Sequence, residues 1–457
     1  MEFIMGNEVR RGKTKTLYAS NQEGVVIVKN RDNITAHDNP DHTRQLPGKG
    51  AWATTTTCNV FELYRTAGVP VAYIERISDA RFAARHVTML PIESVVRYFW
   101  MGSGLDRYPH IPKTNPPQRT NGLVHEMFLK TSDGSVRTFF GDDIFLDLQA
   151  SQGEEDPLMV PIEGGSKVDL YHAHRPIEGA KRIATISSRT VFGDRYAEYF
   201  DEIEKLSKWA FRILAGAFKN LGWRLVDIKF EFGIGKQGQV FLADVVDNDS
   251  WRLRTEDWKE VSKQAYRAKM KAGDEDLSSV AANYELVAEM SKRLRIPRQA
   301  IVIWQGSDTD TPAVAEQLAK MIEVPPCIDR VQVIMSGHRL TRSVLAQLRQ
   351  VETDYPEGAV IIAAVGLSNG LGPILSAHTH LPVINLPLTP EDIGSSTRLP
   401  GGVPASTVLR ISNAVQQALQ ILAISNPVAY ATVSELAEAD TGELLPDSVR
   451  MGWPRPQ

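Results

Sequence analysis

Cysteine is nearly absent from this chain. Cys58 and Cys327 are the only two among 457 residues and lie far apart, which excludes a disulfide framework and a Cys-rich zinc site. Long hydrophobic runs are missing too. The longest, Ala359 to Leu367 with its glycine included, is far short of the roughly 20 residues a membrane helix needs. The start, MEFIMGNEVRR, carries an acid at position 2 and no apolar stretch, so no secretory signal is expected and the reading is cytoplasmic. Nor is there an excess of one charge: 51 Lys and Arg stand against 55 Asp and Glu, a net of −4. No nucleic-acid or membrane partner is expected. There is no internal repeat, and 42% hydrophobic residues exclude a largely disordered chain. At roughly 150 residues per domain, the length suggests two or three domains.

The charge that is present is unevenly spread. The first 300 residues hold 82 charged side chains and the last 157 only 24, with no lysine after Lys320. A charge-poor half rich in Gly and Ser either has a large core or buries surface in an assembly. Residues 1–130 read as short strands and loops, with VVIVKN (25–30) and PVAYIERI (70–77) the clearest. Residues 131–190 read as long polar loops. Apolar residues from Tyr196 to Phe218 recur at helical spacing, and Trp223 to Val246 reads as a hairpin. A helix over 278–294 and a hinge at Pro297 follow. Beyond it, strands at 300–304, 330–335 and 359–366 alternate with helices at 311–323 and 341–353, the pattern of a parallel sheet with helices on its faces.

Three segments of the first part carry chemistry. Gly12-Lys13-Thr14-Lys15 lacks the spacing of a Walker A loop, and although two lysines two apart on a strand share a face and can meet phosphates, the pattern alone favours a solvated strand edge. Lys49, in Pro47-Gly48-Lys49-Gly50, has the same two readings. In Val226–Phe232, alternation puts Asp227, Lys229 and Glu231 on one face and Ile228, Phe230 and Phe232 on the other. A turn centred on Gln237-Gly238 would set Glu231 opposite Asp244. Two carboxylates beside a lysine suit Mg²⁺, which takes a few protein oxygens plus nucleotide phosphates; the alternative is an amphipathic hairpin with a solvated polar face. Asp247-Asn248-Asp249-Ser250-Trp251-Arg252 joins acids, a hydroxyl and a guanidinium that can hold a phosphorylated ligand, although Asp-Asn-Asp is also turn chemistry.

GKTKTLY (12–18), RDNITAHD (31–38), LPIESVVR (90–97), VDIKFEFG (226–233), LADVVDNDSWRL (242–253) and KQAYR (263–267) together resemble the SAICAR synthetase family over residues 8–267. That resemblance implies ligation of L-aspartate to the carboxyl of CAIR with MgATP through an acyl phosphate. It implies Mg²⁺ on Glu231 and Asp244, ATP on Lys13, Lys15, Lys130 and Lys229, and CAIR on Arg97, Ser103, Asp249 and Arg252. Lys229 and Asp227 then stand at the reacting centre. The family's Asp-Pro element follows its lysine quickly, whereas Glu155-Asp156-Pro157 comes over twenty residues after Lys130.

In the second part, each strand ends in a polar loop: Gly306-Ser307-Asp308-Thr309-Asp310, Ser336-Gly337-His338-Arg339 and Ser368-Asn369-Gly370-Leu371. Ligands of open α/β sheets bind at that edge, and a turn opening a helix offers N–H groups to a phosphate; Ser307 and Asp310 are equally suited to plain N-capping. His338 beside Arg339 is a candidate acid/base. GSDTD, SGHR, SNGLGPILSAHT, PLTP, SSTRLPGG and STVL resemble AIR carboxylase over 299–427, in the animal-type form fused behind SAICAR synthetase. The resemblance implies carboxylation of AIR without metal or organic cofactor, His338 moving the proton. Ser307, Asp310, Ser336 and Arg339 would hold the ribose phosphate, and Ser368, Asn369, Gly370 and Leu371 would form the CO₂ pocket. Gly337, Arg339 and Leu367 depart from the animal-type pattern of alanine, lysine and arginine.

The expected architecture is therefore an α+β, two-lobed SAICAR synthetase-like (ATP-grasp/kinase-like) domain over 1–267 and a helical linker over 268–298. A three-layer, flavodoxin/Rossmann-like parallel-sheet carboxylase domain follows over 299–433, then a tail over 434–457. The expected function is bifunctional, AIR to CAIR to SAICAR, in a homo-octamer built by the charge-poor domain. Two alternatives are a ligase with an inactive carboxylase-like scaffold and a kinase-like phosphotransferase.

Overall fold

A computed structural model describes residues 2–35, 42–131, 135–145, 156–177, 179–318 and 323–444. Two compact units emerge, one over Met1–Leu294 and one over Arg295–Glu443. Among the described residues no helix is long and apolar enough to cross a membrane.

Among its described residues the first unit contains two large antiparallel sheets and two short two-stranded ones. The smaller of the large pair orders β1 (Met5–Arg11), β2 (Lys15–Ser20), β3 (Val25–Asn30), β4 (Tyr73–Ser78) and β5 (Arg81–Arg85) as β1-β2-β3-β5-β4. The larger, nine-stranded sheet uses β6 (Ile92–Phe99), β7 (Arg119–Leu129), β8 (Leu158–Ile162), β9 (Lys167–Tyr171), β10 (Ala184–Ser187), β11 (Arg224–Ile234) and β12 (Val240–Ala243). They run in the order β10-β9-β8-β7-β6-β11-β12, with β13 (Trp251–Arg254) also paired to β11. The segment 131–190, expected as loops, thus supplies β8, β9 and β10. Their alternation is short and broken by Pro161 and the Glu163–Gly165 turn, so the period-2 signal is weak.

Helix α1 (Lys49–Thr66) lies within the region expected to be strands and loops. Four consecutive threonines, Thr54–Thr57, depress helix propensity. All four are buried, and Thr54 Oγ1 donates to the Gly50 carbonyl while accepting from Asn30 Nδ2, both at 2.8 Å. Tertiary packing therefore overrides the local preference. Helix α2 (Tyr196–Asn220) matches its apolar stripe: Tyr199, Phe200, Ile203, Ala210, Ile213, Leu214 and Phe218 are buried, and the helix packs on β11 and β6. Helix α3 (Ser278–Ser291), expected as part of a linker, belongs to the first unit. It packs against α1, and Val280 and Tyr284 share a core with Ile34, Leu46 and Tyr266. An apolar face with its own core partners makes this helix an integral element.

Two adjacent residues of β7 make the first unit acid-sensitive. His125 accepts or donates one bond with Ser94 Oγ at 2.8 Å, and burial pushes its pKa from 6.5 down to about 4. Glu126 opposes burial with the charges of Arg97 and Arg107, which hold its carboxyl below its ordinary 4.5. Both groups bind protons more readily in the unfolded chain, so their stabilisation is present at high pH and lost as pH falls. For His125 the loss runs from about 6.5 to about 4, and Glu126 adds to it at the acid end. Urea midpoints of the first unit should fall steadily across that window. His125→Gln should flatten the fall above pH 4.5, and an unchanged slope in that variant would assign it to other groups.

The second unit is a five-stranded parallel sheet ordered β15-β14-β16-β17-β18, from β14 (Gln299–Gln305), β15 (Ile328–Ile334), β16 (Ala359–Val365), β17 (Val383–Pro387) and β18 (Ser406–Thr407). All seven residues of β16 are buried, as a strand covered on both faces requires. Ile301, Ile303, Val360 and Ile362 pack with Ala414, Val415 and Leu419 of one helix, Ile411–Leu422. Ala300, Val302, Trp304 and Ile361 pack on the other face with Val344 and Leu348 of α4 (Thr341–Asp354). The three-layer expectation holds. Helix Pro427–Leu444 runs through the start of the expected tail, and residues 445–457 lie outside the described residues.

Candidate functional site

The β11–β12 register differs from expectation. Glu231 pairs with Ala243, Phe232 with Leu242 and Ile234 with Val240. The turn is closed by Gly235 N–H to the Gln239 carbonyl and Gly238 N–H to the Gly235 carbonyl, both 2.9 Å, and so centres on Gln237. Asp244 falls just past β12, where its φ of 64° turns the chain, a left-handed conformation that Asp adopts more readily than most residues.

The expected face of β11 does form. Across the pairing of β11 with β6, Asp227 lies opposite Arg97 and Lys229 opposite Val95. Two charged groups therefore stand side by side along one strand, about 7 Å per two-residue step. Around Glu231, Lys130 Nζ approaches Oε2 at 2.5 Å, and Lys229 Nζ lies 2.6 Å from Glu93 and 3.4 Å from Glu231. Lys15 pairs with Asp244. Burial would raise the Glu231 pKa, but Lys229, Lys130 and Lys15 outweigh it and hold the group at about 2. Burial would lower Lys229, and Glu93 with Glu231 outweighs it to raise that amine above its ordinary value. Lys13, by contrast, is exposed in the turn before β2, not on the strand face with Lys15.

Around Asp227 the charges are guanidinium-rich. Arg97 Nη1 lies 2.7 Å from Asp227, Arg252 pairs with the same carboxylate, and Arg97 Nη2 donates to Ser103 Oγ at 3.3 Å. Glu126 is held by Arg97 at 2.8 Å and Arg107 at 2.5 Å. Three guanidinium groups against two carboxylates leave a positive excess suited to an anion. The backbone comes close here. Gly102, at φ 58°, is placed so that a Cβ would fall 2.1 Å from Arg252 Nη2.

Asp249 belongs to a third cluster. Lys49 Nζ lies 3.2 Å away, Lys263 Nζ 3.4 Å, and the Tyr284 hydroxyl donates to it. Opposing burial, Lys263 and Lys49 hold Asp249 far below the usual carboxylate range, while burial and the Asp249 charge push Asp247 up to about 6. Asp156, though distant in sequence from Lys130, accepts from Thr131 N–H at 2.7 Å, and burial first, then Glu93, raises it to about 6. Glu155 lies outside the described residues. Sequence reasoning missed Glu93, Glu126, Arg107 and Tyr284. Glu93 alone had a signal, the same strand parity as Arg97 four residues on.

In the second unit the strand-end loops converge. Ser307 caps a short turn, its Oγ accepting from Thr309 N–H at 3.3 Å, and Asp310 is buried behind it. Burial raises the Asp310 pKa against the pull of the Ser307 and Gly306 N–H groups. Ser336 Oγ accepts from Arg339 N–H at 3.3 Å. His338 is exposed, and its Nε2 lies 3.4 Å from the Ser368 carbonyl. The two loops interlock through glycines. A Cβ on Gly370 would fall 2.3 Å from the His338 ring, and one on Gly337 would fall 2.8 Å from Leu371 Cα. Gly337→Ala should therefore push the 370–371 backbone away from His338 and lower carboxylation more than ligation; equal rates for both activities would show that the loop gives freely.

Comparison with known proteins covers both units. The SAICAR synthetase family model matches residues 8–152 and 183–283, and the AIR carboxylase model matches 300–442. A Caenorhabditis elegans protein, "Probable multifunctional protein ADE2", is 31% identical over 436 residues, covering 92% of this chain and 91% of its own. The human "Bifunctional phosphoribosylaminoimidazole carboxylase/phosphoribosylaminoimidazole succinocarboxamide synthetase" is 31% identical over 454 residues, covering 93% and 92%. The "Phosphoribosylaminoimidazole-succinocarboxamide synthase" of Chloroflexus aggregans is 30% identical over 296 residues, covering 63% of this chain and 97% of its own.

Proposed function

Because the chain belongs to the SAICAR synthetase family in its first part and to the AIR carboxylase family in its second, we propose that it carboxylates AIR to CAIR. It then ligates L-aspartate to CAIR with ATP, giving SAICAR, ADP and phosphate. The observation that carries the ligase reading is the shared face of β11, where the guanidinium group at Asp227 adjoins the lysine–carboxylate group at Glu231.

CAIR sits with its phosphate toward Arg97, Ser103 and Arg252, and ATP with its phosphates toward Lys15, Lys130 and Lys229. Asp227 orients both Arg97 and Arg252. A carboxylate oxygen of CAIR attacks the terminal phosphorus, the bond to ADP breaks, and Lys229 neutralises the transferring phosphoryl group. The aspartate amine then attacks the acyl carbon, loses a proton and expels phosphate. Asp249, held by Lys49 and Lys263, completes the CAIR-binding residues.

Glu231 and Asp244 fit Mg²⁺. Both are oxygen donors, each already faces a cationic lysine, and Glu231 is held ionised. Mg²⁺ takes its other ligands from phosphate and water. Bound there, it would neutralise charge on the ATP phosphates.

In the carboxylase half, the AIR ring carbon forms its bond to CO₂ and releases its proton to His338, with Ser307, Ser336 and Arg339 on the ribose phosphate. Ser368, Asn369, Gly370 and Leu371 shape the CO₂ pocket, and no metal or organic cofactor takes part. The chain works in the cytoplasm as a homo-octamer joined through this half. Exposed Ile334, Leu340, Leu367 and Leu409 in a charge-poor unit support that assembly.

One assay tests the whole reading. Given AIR, bicarbonate, aspartate and MgATP, the chain should make SAICAR without added CAIR. Product only when CAIR is supplied would leave a ligase on an inactive scaffold. ADP release without aspartate would favour a phosphotransferase.

A further inference from the structure

We infer that Asn385, a strand residue outside the loops that carry the carboxylase site, is a positioning residue for His338; the inference rests on the carboxylase reading above. Asn385 sits in β17, whose five residues are all buried, among Val383, Ile384 and Leu386. A fully buried amide in an apolar parallel strand is costly unless its polar atoms are used.

They are used to hold a loop. Asn385 Nδ2 donates to the Ser396 carbonyl at 3.1 Å, and Thr407 Oγ1 donates to the same carbonyl at 2.8 Å. Ser396, itself fully buried, accepts from Asn369 Nδ2 through its Oγ at 3.1 Å, and Ser395 Oγ accepts from Asn369 N–H at 2.9 Å. Asn369 Oδ1 in turn accepts from Gly372 N–H at 2.8 Å. The other end of the Asn385 amide presses on the same loop. Its Oδ1 finds no hydrogen-bond donor among the described residues, and a Cβ on Gly372 would fall 1.9 Å from it. The loop is thus gripped on one side by Ser395 and Ser396 and braced on the other by Asn385.

What the loop presents to solvent is the proton-transfer site. Its Ser368 carbonyl is 3.4 Å from His338 Nε2, and its Gly370 lies beneath the His338 ring with no room for a Cβ. A shift of the Asn385 amide therefore reaches the imidazole through Ser396 and Asn369, and angstrom-scale misplacement of a reacting group is enough to slow a reaction strongly.

The test is steady-state carboxylation and ligation by the full chain carrying Asn385→Leu and, separately, Ser396→Ala. Asn385→Leu should lower kcat for carboxylation by about tenfold or more while KM for AIR stays within about twofold, and it should displace the acid limb of the kcat–pH profile. Ligation from supplied CAIR should be unchanged. Ser396→Ala, which keeps the backbone carbonyl and removes only a hydroxyl, should give a smaller loss of the same kind, and the double variant should lose little more than Asn385→Leu alone. If Asn385→Leu fails to fold, the kcat and pH profile of Ser396→Ala decide. Unchanged kcat and pH profile in a wild-type-active background overturn the assignment alone. A wild-type chain that does not carboxylate AIR overturns the proposed function, and this assignment with it.

Discussion

His338→Asn should reduce AIR carboxylation by roughly 10²–10⁴-fold, the range for losing a general acid/base, and leave ligation of supplied CAIR at the parent rate. Asparagine keeps a polar side chain but is shorter than the imidazole, whose Nε2 lies 3.4 Å from the Ser368 carbonyl, and it cannot exchange a proton near neutral pH. The side chain is exposed, so its replacement leaves no buried cavity and the melting temperature should stay where it was. The two activities also lie in separate compact units, which makes ligation an internal control for the same preparation. Turnover of the variant within tenfold of the parent would place proton transfer on another group and remove the strongest support for catalysis in this half.

Asp244→Asn should lower ligation by about a hundredfold or more, the scale for removing one preorganised electrostatic group from a reacting centre, and raise the Mg²⁺ concentration needed for half-maximal rate. The substitution is a clean test of charge. Asparagine accepts the left-handed backbone at φ 64° as readily as aspartate, and its shape is nearly the same. Only the partner of Lys15 loses its charge. Circular dichroism and carboxylation should be unaffected. Ligation retained at ordinary Mg²⁺ would show that Asp244 serves Lys15 alone and that the metal is held elsewhere.

The legible parts of this fold were those in which one local pattern decides the outcome. The seven apolar residues of β16 are buried on both faces, and the stripe of α2 could only be a helix against a sheet. The polar face of β11 was likewise readable from parity. Its partner was not, because a hairpin register depends on whether the turn holds four or five residues, and the Gly-rich stretch from Gly235 to Gln239 admits both. Helix α1 was hidden by its threonines, whose hydroxyls and methyls are satisfied only by tertiary neighbours such as Asn30. Arg107, Glu126 and Tyr284 were unreadable for a related reason. Each acquires a role from residues distant in the chain: Glu126 for Arg107, and Asp249 for Tyr284.

The bond from Thr131 N–H to Asp156 has a consequence for the segment between them. It pins together two residues that lie 25 positions apart, beside Lys130, and the paired strands Ser135–Arg137 and Asp143–Phe145 fall between them. The entropy of closing a loop grows only with the logarithm of its length, about 0.6 kcal/mol for each doubling. By this term alone, an insertion between the two anchors and outside those paired strands therefore costs little as long as both anchors remain. The neighbourhood of Lys130 is insulated from the length of the chain that separates its parts.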